Sequence, residues 1–322
     1  MNPGQMAEAV LGGELRAAAR VMRGLDDGDP TAVDTLKLLH PHTGRARVVG
    51  ITGSPGVGKS SLTSALVGEF RAQGLRVGVV AVDPTSPFTG GAILGDRVRM
   101  QKHATDPGVF IRSLATRGHF GGITASTQAV ARVMDAMGLE VILVETVGVG
   151  QDEVEIVKLA DTTVVVTVPG LGDDIQAIKA GILEVGDIFV VNKMDREGAA
   201  RTIGELEVML SLDSGRERRG GWMPKVLPTC ALDGRGIPLF RQTLDAHWRH
   251  LAADGGATLT RRRRERARRE LLDLVQTALV QRFLADQDQG RALEPVVNRI
   301  LTGETDPHTA SEEVLTRWLE AL

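Results

Sequence analysis

Seven short β-branched runs, most of them apolar on both faces, constrain this chain more than any other feature. They are "RVVGIT" 47–52, "RVGVVAV" 76–82, "VFIRSL" 109–114, "EVILVE" 140–145, "TTVVVTV" 162–168, "DIFVVN" 187–192 and "KVLPTC" 225–230. A strand that is apolar on both faces must be covered on both, as strands inside a parallel sheet are. Helical stretches fall between the runs, for example at 60–73, 122–137 and 173–185. Strand and helix in alternation predict an α/β fold with a mostly parallel central sheet.

The flanking regions have a different pattern. Residues 1–44 carry apolar positions at helical spacing, among them Met6, Val10, Ala18, Val21 and Leu25. They predict two amphipathic helices broken near "DDGDP" at 26–30. After "ADGGA" at 253–257 the chain turns helical again, which sets three expected domains: 1–44, 45–252 and 253–322. In the last of these, Leu271, Leu272, Val275, Leu279 and Phe283 form one apolar stripe, for which a second copy of the chain is a natural cover. The arginine run 261–269 reads as a solvated helix face interrupted by Glu265 and Glu270. No aromatic residues interleave with it, as stacking on bases would want. A formal net charge of -3 gives no general attraction to nucleic acid or an anionic membrane. The longest apolar runs fall well short of the ~18–20 residues of a membrane span. Glu8 and Glu14 speak against a secretory leader. The single thiol, Cys230, suits a reducing cytosol, so a cytoplasmic protein is expected.

Chemistry enters with "GITGSPGVGKSSL" at 50–62, where Gly53, Gly58, Lys59 and Ser60 fit G-x-x-x-x-G-K-[ST] between a strand and a helix. The glycines let successive backbone N–H groups turn inward around a phosphate oxygen, and the following helix adds its positive end. Ser54, Pro55, Gly56, Val57 and Ser61 complete the cradle. Lys59 can reach the β- and γ-phosphates, and the Ser60 hydroxyl can bind Mg²⁺.

"NKMD" at 192–195 selects the base. The Asp195 carboxylate can accept from guanine N1–H and the 2-amino group, whereas adenine would leave it desolvated without a partner, at about 1–3 kcal/mol or more. Asn192 and the Lys193 stem are placed to hold the base and the phosphate loop together. "CALDGRG" at 230–236 follows the next strand, with Cys230, Ala231 and Leu232 at its start and the Ala231 N–H able to meet guanine O6. Between these motifs, "ETVGVGQ" at 145–151 ends a strand. Glu145 is placed to hold Mg²⁺ and the Gly148 N–H to meet the γ-phosphate. Asp83 and Asp96 are further acidic candidates for the metal.

The P-loop together with "VDPTSP", "GGAILGDRVRM", "ETVGVGQDE", "GLGDDIQAIKAGI", "NKMD" and "CALDGRGI" resembles the methylmalonyl-CoA mutase-associated GTPase family, MeaB-like and formerly ArgK. The resemblance implies a metallochaperone-type P-loop GTPase in which a Glu, here Glu145, replaces the usual Asp of D-x-x-G. It implies a homodimer joined by the C-terminal helices. It also implies gating of adenosylcobalamin loading and protection of an acyl-CoA mutase, with the cobalamin adenosyltransferase as a further partner. On the same basis Ser60, Asp83, Asp96 and Glu145 map to the metal sphere, and Lys179 in "GDDIQAIK" reaches toward the nucleotide. Cys230 stands where a serine is common.

One expected part is missing. In Ras-like proteins a water-orienting Gln directly follows the glycine of D-x-x-G. Here Val149 stands in that place and Gln151 lies two residues on. Slow intrinsic hydrolysis accelerated by a partner is therefore expected, with Lys179 as the candidate cation at the γ-phosphate. Two alternatives use the same loop. A small-molecule kinase could take Asp83 as base, but "NKMD" argues for guanine. A nickel-insertion GTPase would share Glu145 but would want a His-rich stretch or a Cys pair. The seven His are scattered and Cys230 is alone.

Overall fold

The computed structural model describes residues 1–83, 100–115, 122–146, 156, 158–170, 184, 186–212, 220–286, 290 and 293–320. Among them, seven strands form one parallel sheet: β1 Arg47–Thr52, β2 Val77–Asp83, β3 Val109–Ala115, β4 Val141–Glu145, β5 Thr162–Thr167, β6 Ile188–Val191 and β7 Lys225–Pro228. Their spatial order is β3-β2-β4-β1-β5-β6-β7, and every pairing is parallel. β4, β5 and β6 are buried along their whole length, as runs apolar on both faces require.

Alternate residues of each strand feed two cores. On one face Val80, Ile142 and Val144 pack under α1 Pro3–Leu11, α2 Leu15–Asp26 and α5 Gly122–Ala136, with Leu39 from α3 Pro30–Leu39. On the other, Ile51, Val79 and Leu143 meet Leu62, Leu66 and Phe70 of α4 Lys59–Ala72. A smaller cluster of Val165, Phe189 and Val191 lies under Leu206 of α6 Ala199–Leu212. The strand order reverses at β1, whose two neighbours are β4 and β5. The carboxyl ends of these strands therefore open a crevice, the usual ligand position in a sheet of this type.

The N-terminal region departs from expectation. It forms three helices rather than two, because α1 ends at Leu11 before "GG". Gly13 there takes φ 80°, and the Glu14 N–H closes back on Ala9 O. That left-handed turn is open to glycine at little cost and ends the helix.

The chain divides into two compact units, Met1–Arg266 and Ala267–Leu322. Helix α7, Ile237–Asp286, is broken by non-helical backbone at 253–256. The arginine run that follows is not a uniformly solvated face, as its spacing had suggested. Arg262 grips Asp187 through two bonds of 3.0 and 3.2 Å. Arg263 and Arg266 both bond Asp161, whose side chain is 1% exposed. Asp161 and Asp187 stand just before β5 and β6, so residues 257–266 are tied to the amino-terminal edge of the sheet. Burial pushes the Asp161 carboxyl up, but the Arg266 and Arg263 guanidiniums overcome this and hold it below the usual carboxylate range. Asp187 is likewise pushed up by burial and held far lower by His247 and Arg262.

In the second unit, Phe283 meets Trp318 edge-on at 5.3 Å, and the Trp318 indole donates to Asp286 at 2.8 Å. Trp318 belongs to α9 Pro307–Glu320, which follows α8 Glu294–Leu301. Leu271, Leu272, Val275 and Leu279 are exposed on this unit.

Candidate functional site

The loop between β1 and α4 carries Gly53 to Gly58. Gly53 has φ 136°, and a Cβ there would lie 2.0 Å from the Val166 carbonyl oxygen of β5. The loop can pass this close to the sheet only as bare backbone. At Gly58, a Cβ would lie 2.6 Å from Asn192 Nδ2. A side chain at either position would press on the Val166 backbone or on the Asn192 amide that holds the loop. Lys59 is buried at the start of α4, and its Nζ donates to Gly53 O at 2.6 Å and Ser54 O at 3.0 Å. The ammonium thus lies along the inside of the loop, where it can exchange carbonyls for phosphate oxygens.

The strand next to β1 supplies the acid. The register pairs Ile51 of β1 with Glu145 of β4. The Glu145 carboxylate is 3% exposed and spans two hydroxyls of α4. Ser60 Oγ donates to Oε1 at 2.6 Å, and Thr63 Oγ1 lies 2.9 Å from Oε2. A hydroxyl and a carboxylate are hard oxygen donors at the end of a phosphate cradle, which is the donor chemistry that suits Mg²⁺. Sequence reasoning picked Ser60 and Glu145 and missed Thr63. The signal was available, since Thr63 lies four residues beyond Lys59 and three beyond Ser60, on the same helix face.

The base-reading motif is locked to the phosphate loop. Asn192, 2% exposed, follows β6; its Nδ2 donates to Val57 O at 2.9 Å. Its Oδ1 accepts from Thr229 Oγ1 at 3.2 Å and from the Ala231 N–H at 3.1 Å. Lys193, at φ 57°, lays its stem over the loop and donates from Nζ to Gly56 O at 2.7 Å. One short segment therefore joins the P-loop to the loop that follows β7. The Ala231 N–H, expected on guanine O6, is aimed at Asn192 here. Thr229, also missed in the sequence, is fully buried beneath this junction. Asp195 is exposed and has no hydrogen bond among the described residues, so its carboxylate is available. Cys230 is buried, and its backbone N–H bonds Arg235 O. Leu232 is 90% exposed at the rim of the same loop. Asp233 accepts from Arg235, and that bond chiefly pulls its carboxyl down to about 2, which helps to fix the loop's shape.

Four of the candidate groups lie outside the described residues: the Asp83 side chain, Asp96, Gly148 and Lys179. The backbone of β2 runs to Asp83, and the register pairs Ala81 with Glu145, so the strand end is near the acid.

The sequence matches the family described as methylmalonyl Co-A mutase-associated GTPase MeaB over residues 16–288. The chain belongs to the MeaB family. A putative GTPase of Pyrococcus abyssi is 47% identical over 97% of this chain and 95% of its own length. A methylmalonic aciduria type A homolog, mitochondrial, of Caenorhabditis elegans is 32% identical over 83% of this chain and 67% of its own length. The crystal structure of an LAO/AO transport system kinase superposes with a TM-score of 0.74 at 23% identity, covering 99% of this chain and 97% of that one. This last likeness shows a shared P-loop fold. As a member of this GTPase family, the chain binds guanine nucleotide. Among the described residues no helix is long and apolar enough to cross a membrane.

Proposed function

We propose that this MeaB-family GTPase hydrolyses GTP slowly by itself, and that a cobalamin-dependent acyl-CoA mutase of the methylmalonyl-CoA type accelerates it. The GTPase in turn gates adenosylcobalamin loading of that mutase and protects it. The observation that carries the nucleotide part is the Asn192 junction, which joins a P-loop to an N-K-x-D segment in one buried hydrogen-bonded unit. The family description and the name of the Caenorhabditis relative support the mutase as partner. The cobalamin adenosyltransferase, as donor of the cofactor, is a further partner in this reading.

The residues divide the work. P-loop N–H groups and Lys59 hold the phosphates, and Asp195 reads the guanine edge. Ser60 and Glu145, with Asp83 and Asp96, would hold Mg²⁺, which when bound neutralises charge on the β- and γ-phosphates. Val149 leaves the attacking water without the usual glutamine. Lys179 supplies the missing cation when the partner is bound, a contribution of about 10³–10⁵ in rate for groups of this kind. The exposed leucines of the C-terminal unit pair two copies into a homodimer.

Two measurements test this. Asp195→Asn should swap guanine for xanthine preference in competition binding, since the amide donates where guanine also donates and xanthine accepts. A mutase should raise GTP turnover of wild type but not of Lys179→Ala. Wild type that takes ATP as readily as GTP would refute the base assignment. Turnover indifferent to the mutase would refute the partnership.

A further inference from the structure

We propose that Thr63 is a positioning residue for Mg²⁺: it fixes the plane of the Glu145 carboxylate and, through it, the direction of the Ser60 hydroxyl. The inference rests on the reading of this crevice as a GTP–Mg²⁺ site.

Glu145 is one methylene longer than aspartate and so has one more rotatable bond. Its carboxylate is buried and its two oxygens are held separately. Ser60 Oγ reaches Oε1 at 2.6 Å, and Thr63 Oγ1 reaches Oε2 at 2.9 Å. Thr63 is fully buried on α4. Its hydroxyl has a single proton and two acceptors at equal distance, Glu145 Oε2 and Lys59 O. The Lys59 carbonyl also belongs to the α4 ladder, whereas the carboxylate is the charged acceptor, and a hydrogen bond to a charged group is roughly twice as strong. The proton therefore goes to Glu145.

The consequence is directional. With Oε2 pinned by Thr63, Oε1 takes the Ser60 proton. The Ser60 oxygen then turns its lone pairs toward the phosphate cradle, where a cation would need them. Without the Thr63 hydroxyl, Oε2 loses the hydrogen bond that ties it to α4, and the carboxylate plane can turn about its last bond and shift the Ser60 proton with it. Lys59 and the P-loop N–H groups would keep their own geometry. Loss of the hydroxyl should therefore weaken metal binding and leave metal-free nucleotide binding intact. A bulk packing defect would weaken both.

The test compares wild type, Thr63→Val and Thr63→Ser, each confirmed folded by circular dichroism. Calorimetry with a non-hydrolysable GTP analogue is run across a Mg²⁺ series and in EDTA. Thr63→Val should need about 10–100-fold more Mg²⁺ for half-maximal binding, the usual range for losing a group that orients a metal ligand. Its affinity in EDTA should stay within about twofold of wild type, and Thr63→Ser should restore the Mg²⁺ midpoint. An unchanged midpoint in Thr63→Val, an equal loss in EDTA, or failure of serine to restore it would overturn the proposal. Wild type that binds the analogue no better with Mg²⁺ than in EDTA would instead remove the metal reading beneath it.

Discussion

Asp187→Asn should loosen the root of the C-terminal helix and lower the stability of the first unit by about 3 kcal/mol. The carboxylate is 3% exposed. Its Oδ2 accepts from the Thr163 N–H at 2.9 Å and from Arg262 at 3.2 Å, while Oδ1 accepts from Arg262 at 3.0 Å and faces His247 Nε2 at 3.4 Å. Whichever way the asparagine amide is turned, its NH₂ meets an Arg262 donor. The substitution also strips a buried guanidinium of its counter-charge. Breaking one side of a buried pair costs about 3–5 kcal/mol. The lower end applies because Arg262 keeps 19% exposure and a bond to Asp161 O. For a unit of this size each kcal/mol moves the thermal midpoint by about 2–4 °C, so the fall should be about 6–12 °C. Circular dichroism melts and urea titrations read it. Arg262→Met should cost a similar amount, and the double variant should be more stable than the two single losses added together, by roughly 0.5–3 kcal/mol. A midpoint within 2 °C of wild type for Asp187→Asn, or strict additivity in the cycle, would refute the clamp.

Acid should act on both buried carboxylates that the arginines hold. Asp161 and Asp187 have folded-state values below the usual carboxylate range, so their contribution is complete above the unfolded value of ~3.9 and is lost as pH falls. Melting should be nearly flat from pH 7 to 5 and fall steeply below about pH 4, with a shallower acid limb in Asp187→Asn; parallel limbs would count against it. Gly53→Ala should displace the phosphate loop, because the new Cβ meets backbone 2.0 Å away and cannot rotate clear. Strain of about 1–3 kcal/mol at such a position corresponds to roughly 5- to 150-fold weaker GTP binding, and calorimetry showing wild-type affinity would contradict the geometry.

Much of the fold and site was legible in the residues, because it is encoded locally. The seven runs became seven strands, since a β-branched stretch apolar on both faces is stable only when covered on both. The P-loop and N-K-x-D were readable as strings, because each needs specific residue types within a few positions of one another. Tertiary structure decided the rest. Strand order placed β1 between β4 and β5, and so brought Glu145 to Ser60 and Thr63 across more than 80 positions. The arginine run shows the limit most plainly. Nothing within 261–269 distinguishes Arg262, Arg263 and Arg266 from their neighbours. Their partners lie 75 to 105 residues away, and only the folded sheet carries Asp161 and Asp187 to that helix. Spacing fixes which face of a helix a side chain occupies, but whether that face meets water or a buried carboxylate depends on chain folded from elsewhere.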